Sequence, residues 1–364
     1  MRFTCNKQDM RDAINRVIKT VPQKPYNSLL ECIHLSTISE GIIIRSFDTV
    51  TAVKTNISAD VSEQGETAIP ARLLSEITAK FPDGELNVES GDEGGIVFSA
   101  GKSTATLQEM KADEYPEFPA LRGDSVVLKQ SVLKEMIDGT SFAVYQLDDK
   151  PIYKGMLLEA RDGEFTIVAI DGPRMAKRRI PFETINEMSV IVPGKAMKEL
   201  SRLMESEDGM VEILLNDNCV FFVFDETIVY TQLLSGSFLN YRSLIHEDRS
   251  IRVRVETKML EKSIEMVSVM AKEDVYNMII MEIGADTMTL TSKNDYGEVV
   301  DSIPVSTEGD CLRLGFNARY FLEAIRAIDD DEIFLDFRTK RDECTIRPIE
   351  GEDYLYMVFP VNTK

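Results

Sequence analysis

The sequence predicts an α+β fold built three times over, each unit being two helices packed on antiparallel sheet. Three observations predict it. Short words recur along the 364 residues at nearly one spacing. Apolar residues in two segments of each unit follow helical spacing, and β-branched runs separated by turn residues fill the remainder.

The words recur in order. Ile69-Pro70-Ala71-Arg72-Leu73-Leu74, Val192-Pro193-Gly194-Lys195-Ala196-Met197 and Phe316-Asn317-Ala318-Arg319-Tyr320-Phe321 match at offsets of 123 and 124 residues. RSFDTVTAV, VAIDGPRMA and TSKNDYGEV place Asp48, Asp171 and Asn294 123 residues apart. Met10, Leu133 and Leu260 anchor a helical pattern near the start of each unit, and EYPEFPAL at 114–121 corresponds to SFLNYRSLI at 237–245. One such coincidence arises by chance; several in the same order mark three homologous domains, 1–122, 123–247 and 248–364.

Each unit opens on a short strand, as Arg2 to Cys5, and continues into a helix whose apolar face in the first unit is Met10, Ala13, Ile14, Val17 and Val21. Strands follow, as in GIIIRSFDTVTAVKTNI. A second helix is expected to open at the Pro or Asn of the recurring word, since proline suits a first helical turn. Its core face is Leu73, Leu74 and Ile77, then Met197, Leu200 and Met204, then Phe321, Ala324 and Ile328. Strands such as CVFFVFDETIVYTQLL close the unit.

Composition bounds the function. The hydrophobic share is 43% without Trp, and no apolar run approaches the ~18 residues of a membrane span. The start, MRFTCNKQDM, lacks a charged-then-apolar signal region, which predicts a cytoplasmic protein. Cys5, Cys32, Cys219, Cys311 and Cys344 show no C-x-x-C spacing, so reduced structural thiols are expected rather than disulfides or a metal site. His34 and His246 stand in no nucleophile or metal motif.

A formal charge of −21 argues against a uniformly basic nucleic-acid coat. Its distribution changes that reading. The segments 7–20, 70–80, 130–144, 193–204, 257–273 and 317–328 hold 15 basic and 10 acidic residues, net +5, which leaves −26 for the rest. The polar face of the second helix carries Arg72, Glu76 and Lys80, then Lys195, Lys198, Glu199 and Arg202, then Arg319, Glu323 and Arg326; Arg11, Arg16 and Lys19 add to it from the first helix of the first unit. One such face is an ordinary solvated helix. Three alike suggest a mildly basic layer that holds phosphate without reading bases.

With MRFT, IPARLLSEI, EYPEFPAL, VAIDGPRMA, VIVPGKAMKEL, LGFNARYFLEAI and a closing MVFP in this order, the chain resembles the bacterial DNA polymerase III β subunits, the sliding clamps, over essentially its whole length. The resemblance implies a head-to-tail homodimer in which each chain forms half of a six-domain ring, with helices lining a hole around double-stranded DNA and sheets outside. It implies a non-catalytic processivity subunit with no cofactor, because ATP is used by the separate clamp loader. It also implies a pocket that takes a short, partly hydrophobic peptide from the DNA polymerase III α subunit, the loader and other clamp-motif replication and repair proteins. The matching positions are Tyr153, Ile170, Gly172, Pro173, Arg174, Met175, Leu239, Ser243, Leu244, Met357, Val358, Phe359, Pro360 and Val361, with Arg174 expected to offer hydrogen bonds at the rim. Pro173, Leu239 and Ser243 depart from the His, Pro and Arg common there, and the tail ends Val361-Asn362-Thr363-Lys364. For DNA the resemblance carries over to Lys24, Arg72 and Lys195, to which the charge stripe adds Lys198, Arg202, Arg319 and Arg326. For the dimer seam it places an edge strand at Ala105 and Leu107 against Val269 and Met270 of a second copy, with Ala105 where an aromatic is often found.

Other readings have less to stand on. Pro193-Gly194-Lys195 lacks the rest of a G-x-x-x-x-G-K-[ST] phosphate loop. The run Asp329, Asp330, Asp331 and Glu332, a conceivable metal-hydrolase cluster, falls between a helix and the strand EIFLDF and is expected to be a solvated turn. A repeat scaffold that binds peptides without encircling DNA is distinguished by topology.

Overall fold

A computed structural model describes residues 1–91, 94–184, 187–272, 277–339 and 342–361. Six α-helices are seen among them: α1 Lys7–Val17, α2 Ala71–Thr78, α3 Gln130–Asp138, α4 Gly194–Leu203, α5 Thr257–Ala271 and α6 Ala318–Ile325. They fall in the six expected segments, each shorter by a few residues at one or both ends. Glu273, the last residue of the expected fifth segment, lies outside the described residues.

The second helices begin one residue later than proline at a first turn requires. Pro70 and Pro193 close the strands Glu66–Pro70 and Met188–Pro193, and the helix starts at the next residue. Pro70 keeps extended ψ (115°), so it finishes the ladder and then turns the chain. Asn317 does this work by side chain, accepting from the Tyr320 backbone N–H at 3.2 Å as an N-cap.

The inward face of α1 is as expected for Met10, Ala13, Ile14 and Val17, which are buried, but Val21, expected on the same face, lies past the helix with extended backbone and is half-buried. The inward face of α2 is not as expected. Ala71, Leu74 and Thr78 are buried while Leu73, expected in the core, is 50% exposed, because Ala71 sets the stripe a residue off the expected one. Lys7, counted with the basic layer, is buried and holds Asp83 at 2.9 Å, which pulls the Asp83 carboxyl below its ordinary range.

The recurring Asp or Asn is turn chemistry. Asp48 accepts from the N–H groups of Val50 and Thr51 (3.1 and 2.7 Å), and Asn294 from those of Tyr296 and Gly297 (2.9 and 3.2 Å). Asp171 keeps the backbone turn, its N–H donating to the Arg174 carbonyl, but turns its carboxylate to the Arg174 guanidinium.

The chain forms two compact units, Met1–Leu133 with Glu199–Leu233, and Lys134–Lys198 with Leu234–Lys364. Ladder hydrogen bonding divides the middle repeat between them. In the first unit, a twelve-stranded sheet joins Thr51–Glu63 to Thr227–Gln232, with hydroxyl pairs Thr51–Thr231 and Thr55–Thr227 at 3.2 Å. In the second, a nine-stranded sheet joins Arg174–Pro181 to Tyr354–Val358, and a four-stranded sheet lies with α5 and α6. Ser103–Gln108 is an edge strand of the first unit and Gly297–Pro304 of the second.

Candidate functional site

The nine-stranded sheet of the second unit builds an apolar site by strand alternation. Successive side chains of a strand point to opposite faces. On one face, register brings Ile170, Met175 and Met357 into one row and Leu157, Val168 and Leu355 into the next, with Lys177 between Val168 and Leu355. Those six apolar side chains, with Ile191 and Tyr241, form one buried cluster. Ile152, Leu234, Phe238, Leu244, Ile245 and Phe359 pack on it and remain partly accessible. Burying one such side chain is worth about 1.5–3 kcal/mol, so a partner peptide gains most by covering the members still partly open.

The expected pocket residues separate into those that meet here and those that do not. Ile170, Met175, Leu244, Met357 and Phe359 belong to the cluster. Tyr153 stands edge-on to Phe238 with ring centroids 5.9 Å apart. Leu239 is 40% exposed, and Gly172, Pro173 and Ser243 are exposed as well. Gly172 has φ 93°, a left-handed conformation that glycine adopts without strain. The tail is tied down by the Phe359 N–H to the Pro173 carbonyl (2.9 Å) and the Val361 N–H to the Gly315 carbonyl (2.8 Å), and Pro360 and Val361 are half-buried. Asn362, Thr363 and Lys364 lie outside the described residues.

Two expectations are corrected. Arg174 is not a rim donor but is 4% exposed on the opposite face of its strand from Met175. Its Nε donates to Asp171 Oδ2 at 2.7 Å, its Nη1 bonds Glu323, and its guanidinium lies 4.4 Å from the Tyr320 ring centre. Burial beside this pair still raises the Asp171 carboxyl above its ordinary value. Val358 likewise faces away from Met357. It follows Tyr356, whose hydroxyl accepts from Arg178 Nε at 3.0 Å and whose ring meets Phe142 edge-on. Both errors come from treating consecutive strand residues as one surface.

Sequence reasoning missed Leu157, Val168, Leu355 and Phe238, although Val168 and Leu355 are reachable by alternation from Ile170 and Met357; Leu157 joins them only through pairing with Val168. It also missed Glu159, whose side chain is 5% exposed and which gathers hydrogen-bond and ion-pair partners from segments up to 83 residues apart. Tyr241 Oη donates at 2.8 Å and Ser189 Oγ at 3.2 Å, while Arg161 Nη2 and Arg242 Nη1 form ion pairs with it at 2.8 and 2.9 Å.

The basic helix faces carry more internal pairing than the charge count implies. Arg72 pairs with Glu76 (2.9 Å) and Arg202 with Glu199 (2.7 Å), while Arg326 holds both Glu261 (3.1 Å) and Glu265. Lys24, Arg72, Lys195, Arg202, Arg319 and Arg326 are exposed and Lys198 is half-buried. Between α5 and α6, Lys272, Arg319 and Arg326 line a cavity of 440 Å³ with Glu265 and Leu322. On the edge strand of the first unit Ala105 is half-buried and Leu107 buried, while Thr104, Thr106 and Gln108 are exposed. In the second unit Val269 is 61% exposed on α5, and the Met270 carbonyl accepts from Asn294 at 3.1 Å. Among the described residues no group of three or more His, Cys, Asp or Glu is placed to hold a metal ion, and no helix is long and apolar enough to cross a membrane.

Comparison with known proteins extends this picture over the whole chain. Three family profiles match in series: the DNA polymerase III beta subunit N-terminal domain at residues 1–119, the central domain at 127–240 and the C-terminal domain at 242–362. The beta sliding clamp of Halalkalibacterium halodurans is 25% identical over 379 residues, covering 100% of both chains. Among solved structures, the DNA polymerase sliding clamp of Bacillus subtilis superposes with a TM-score of 0.97 at 25% identity, and the DNA polymerase III beta subunit of Thermotoga maritima with 0.93 at 25%, each covering 100% of both chains. Three clamp domains in fixed order along one chain, superposing on complete clamps, mean that the chain belongs to the bacterial DNA polymerase III beta subunit family, the DNA sliding clamps that serve as processivity factors.

Proposed function

We propose that two copies of this chain join head to tail into a six-domain ring around duplex DNA, with domains 1–122, 123–247 and 248–364. The observation that carries this reading is the series of three clamp domains within one chain. Head-to-tail contacts close only when the rotations sum to a full turn, which three similar domains per copy allow. The seam pairs the edge at Ala105 and Leu107 with the region of Val269 and Met270 in the second copy. Lys24, Arg72, Lys195, Lys198, Arg202, Arg319 and Arg326 face phosphate, while the acidic remainder of the chain repels it. The ring is non-catalytic and works in the cytoplasm. It tethers the DNA polymerase III α subunit, the clamp loader and other replication and repair proteins through the apolar pocket around Tyr153, Met175, Leu244 and Phe359.

Topology is the test. Loaded on a closed circular duplex the protein stays bound through a salt wash, and it leaves once the circle is cut. Loss at the same rate before and after cutting favours the peptide-binding scaffold that never encircles DNA. The pocket is tested separately: Met175→Ala with Phe359→Ala weakens a labelled polymerase α-subunit peptide by about 10-fold or more and leaves the dimer mass unchanged. Full peptide affinity in that variant removes the pocket assignment.

A further inference from the structure

We infer that Glu159 positions the wall of the peptide pocket, acting through Tyr241 on the segment that carries Phe238, Leu239 and Leu244. The inference rests on the pocket reading above. Glu159 is two residues from Leu157 on the same strand, Gly155–Arg161, so its carboxylate lies on the face that carries the apolar cluster. A carboxylate offers about four lone-pair sites. Here two hydrogen bonds and two ion pairs meet it: Tyr241 Oη donates at 2.8 Å to the oxygen that Arg242 Nη1 faces at 2.9 Å, and Ser189 Oγ donates at 3.2 Å to the oxygen that Arg161 Nη2 faces at 2.8 Å.

Two of these partners, Tyr241 and Arg242, belong to the short 3-10 turn Tyr241–Leu244. Tyr241 is 1% exposed, and its ring is a member of the apolar cluster, so hydroxyl and ring together fix where that turn sits. The segment is held as well by Phe238, Leu244 and Ile245, which pack on the cluster. The Tyr241 N–H reaches the Leu239 carbonyl at 2.7 Å and the Ser243 N–H the Asn240 carbonyl at 3.1 Å, both bonds within the segment itself. Leu244, at its end, packs on the cluster and stays partly accessible. The first joint of the chain supplies a contrast. At the 123-residue offset, Glu159 corresponds to Ser36 and Tyr241 to Phe118, so carboxylate and hydroxyl are both missing there.

A double-mutant cycle on peptide affinity tests this, using the full-length protein and a labelled peptide from the polymerase III α subunit. Tyr241→Phe keeps the ring and removes one bond, and is expected to weaken the peptide about 5-fold; Glu159→Gln, which loses the charge holding Arg242 and Arg161, about 10-fold. In a Leu244→Ala background the Tyr241→Phe loss shrinks below about 2-fold, because the side chain being positioned is gone. Equal fold-losses in both backgrounds indicate a general structural role and overturn the proposal. If Glu159→Gln does not fold, Tyr241→Phe carries the cycle alone. Met175→Ala separates the two readings: if it leaves affinity intact, the pocket reading fails and this inference with it. If it weakens the peptide while Glu159→Gln and Tyr241→Phe do not, only the positioning role fails.

Discussion

The two joints between repeats are built on one plan and finished differently. Each brings an aromatic pair down onto a sheet, Tyr115 and Phe118 in the first, Phe238 and Tyr241 in the second, at the 123-residue offset. Beneath the second pair lie Leu157 and Val168, facing each other across the ladder. Their counterparts beneath the first are His34 and Arg45, paired in the same register. Arg45 Nε donates to His34 Nδ1 at 3.1 Å, which leaves the His34 proton on Nε2, 3.2 Å from Glu66. The Tyr115 ring lies tilted against the His34 ring with centroids 5.0 Å apart, and its hydroxyl donates to the Cys32 carbonyl. Further along, Phe118, Phe221 and Tyr230 fill with aromatic rings the region where the second joint has Ile170, Met175 and Met357. The first joint is thus sealed by polar pairs and rings, and the second keeps an apolar floor. On the pocket reading proposed above, floor composition rather than joint geometry decides which joint can gain from apolar burial.

Exchanging the floors gives the largest effect. Leu157→His with Val168→Arg puts the first joint's pair beneath the second, where no Glu66 or Tyr115 receives it. Polymerase-peptide affinity then falls by over about 100-fold, and urea unfolding shows a loss of about 4 kcal/mol. Retained affinity breaks the comparison at its root.

Next in size is the pH response of the first joint. Burial, reinforced by Arg45, lowers the His34 pKa from 6.5 to about 4. As pH falls the unfolded chain takes up this proton first, so the stabilisation is full above about pH 6.5 and is lost progressively toward pH 4, amounting to about 3 kcal/mol. In a His34→Gln variant, denaturant midpoints between pH 4 and 6.5 lose that component of the slope. An unchanged slope assigns the titration elsewhere.

Smaller still is Tyr115→Phe, which removes the bond to the Cys32 carbonyl for about 1 kcal/mol of stability and leaves peptide affinity unaltered. Weakened peptide binding in this variant would show that the joints communicate. Smallest in stability is Arg326→Gln, which breaks exposed pairs with Glu261 and Glu265 for under about 1 kcal/mol. It also lowers the salt slope of DNA binding by about 1. An unchanged slope removes Arg326 from the phosphate-facing set.

Much of this was legible in the residues. Repetition located the helices and both joints, and the inward stripes of α1, α4 and α6 followed from 3.6-residue spacing because a helix surrounded on one side by sheet has a single buried stripe. Five of the residues expected in the pocket, Ile170, Met175, Leu244, Met357 and Phe359, meet in the apolar cluster, and their words recur or resemble the family's. Arg174, Val358 and Leu73 were misplaced for one reason: adjacent residues share a word but not a face.

What the sequence determined by itself is the repeat, its helices and turns, and the family to which they belong, since these rest on local spacing and local chemistry. What only the tertiary structure decided is which side of each strand is covered, and hence that Met175 enters the apolar cluster while Arg174 is locked between Asp171 and Glu323. It also decided the meeting of Glu159 with Tyr241, 82 residues apart. The period of a strand fixes alternation but not its phase relative to the core, and a buried carboxylate is stable only with donors that long-range packing delivers.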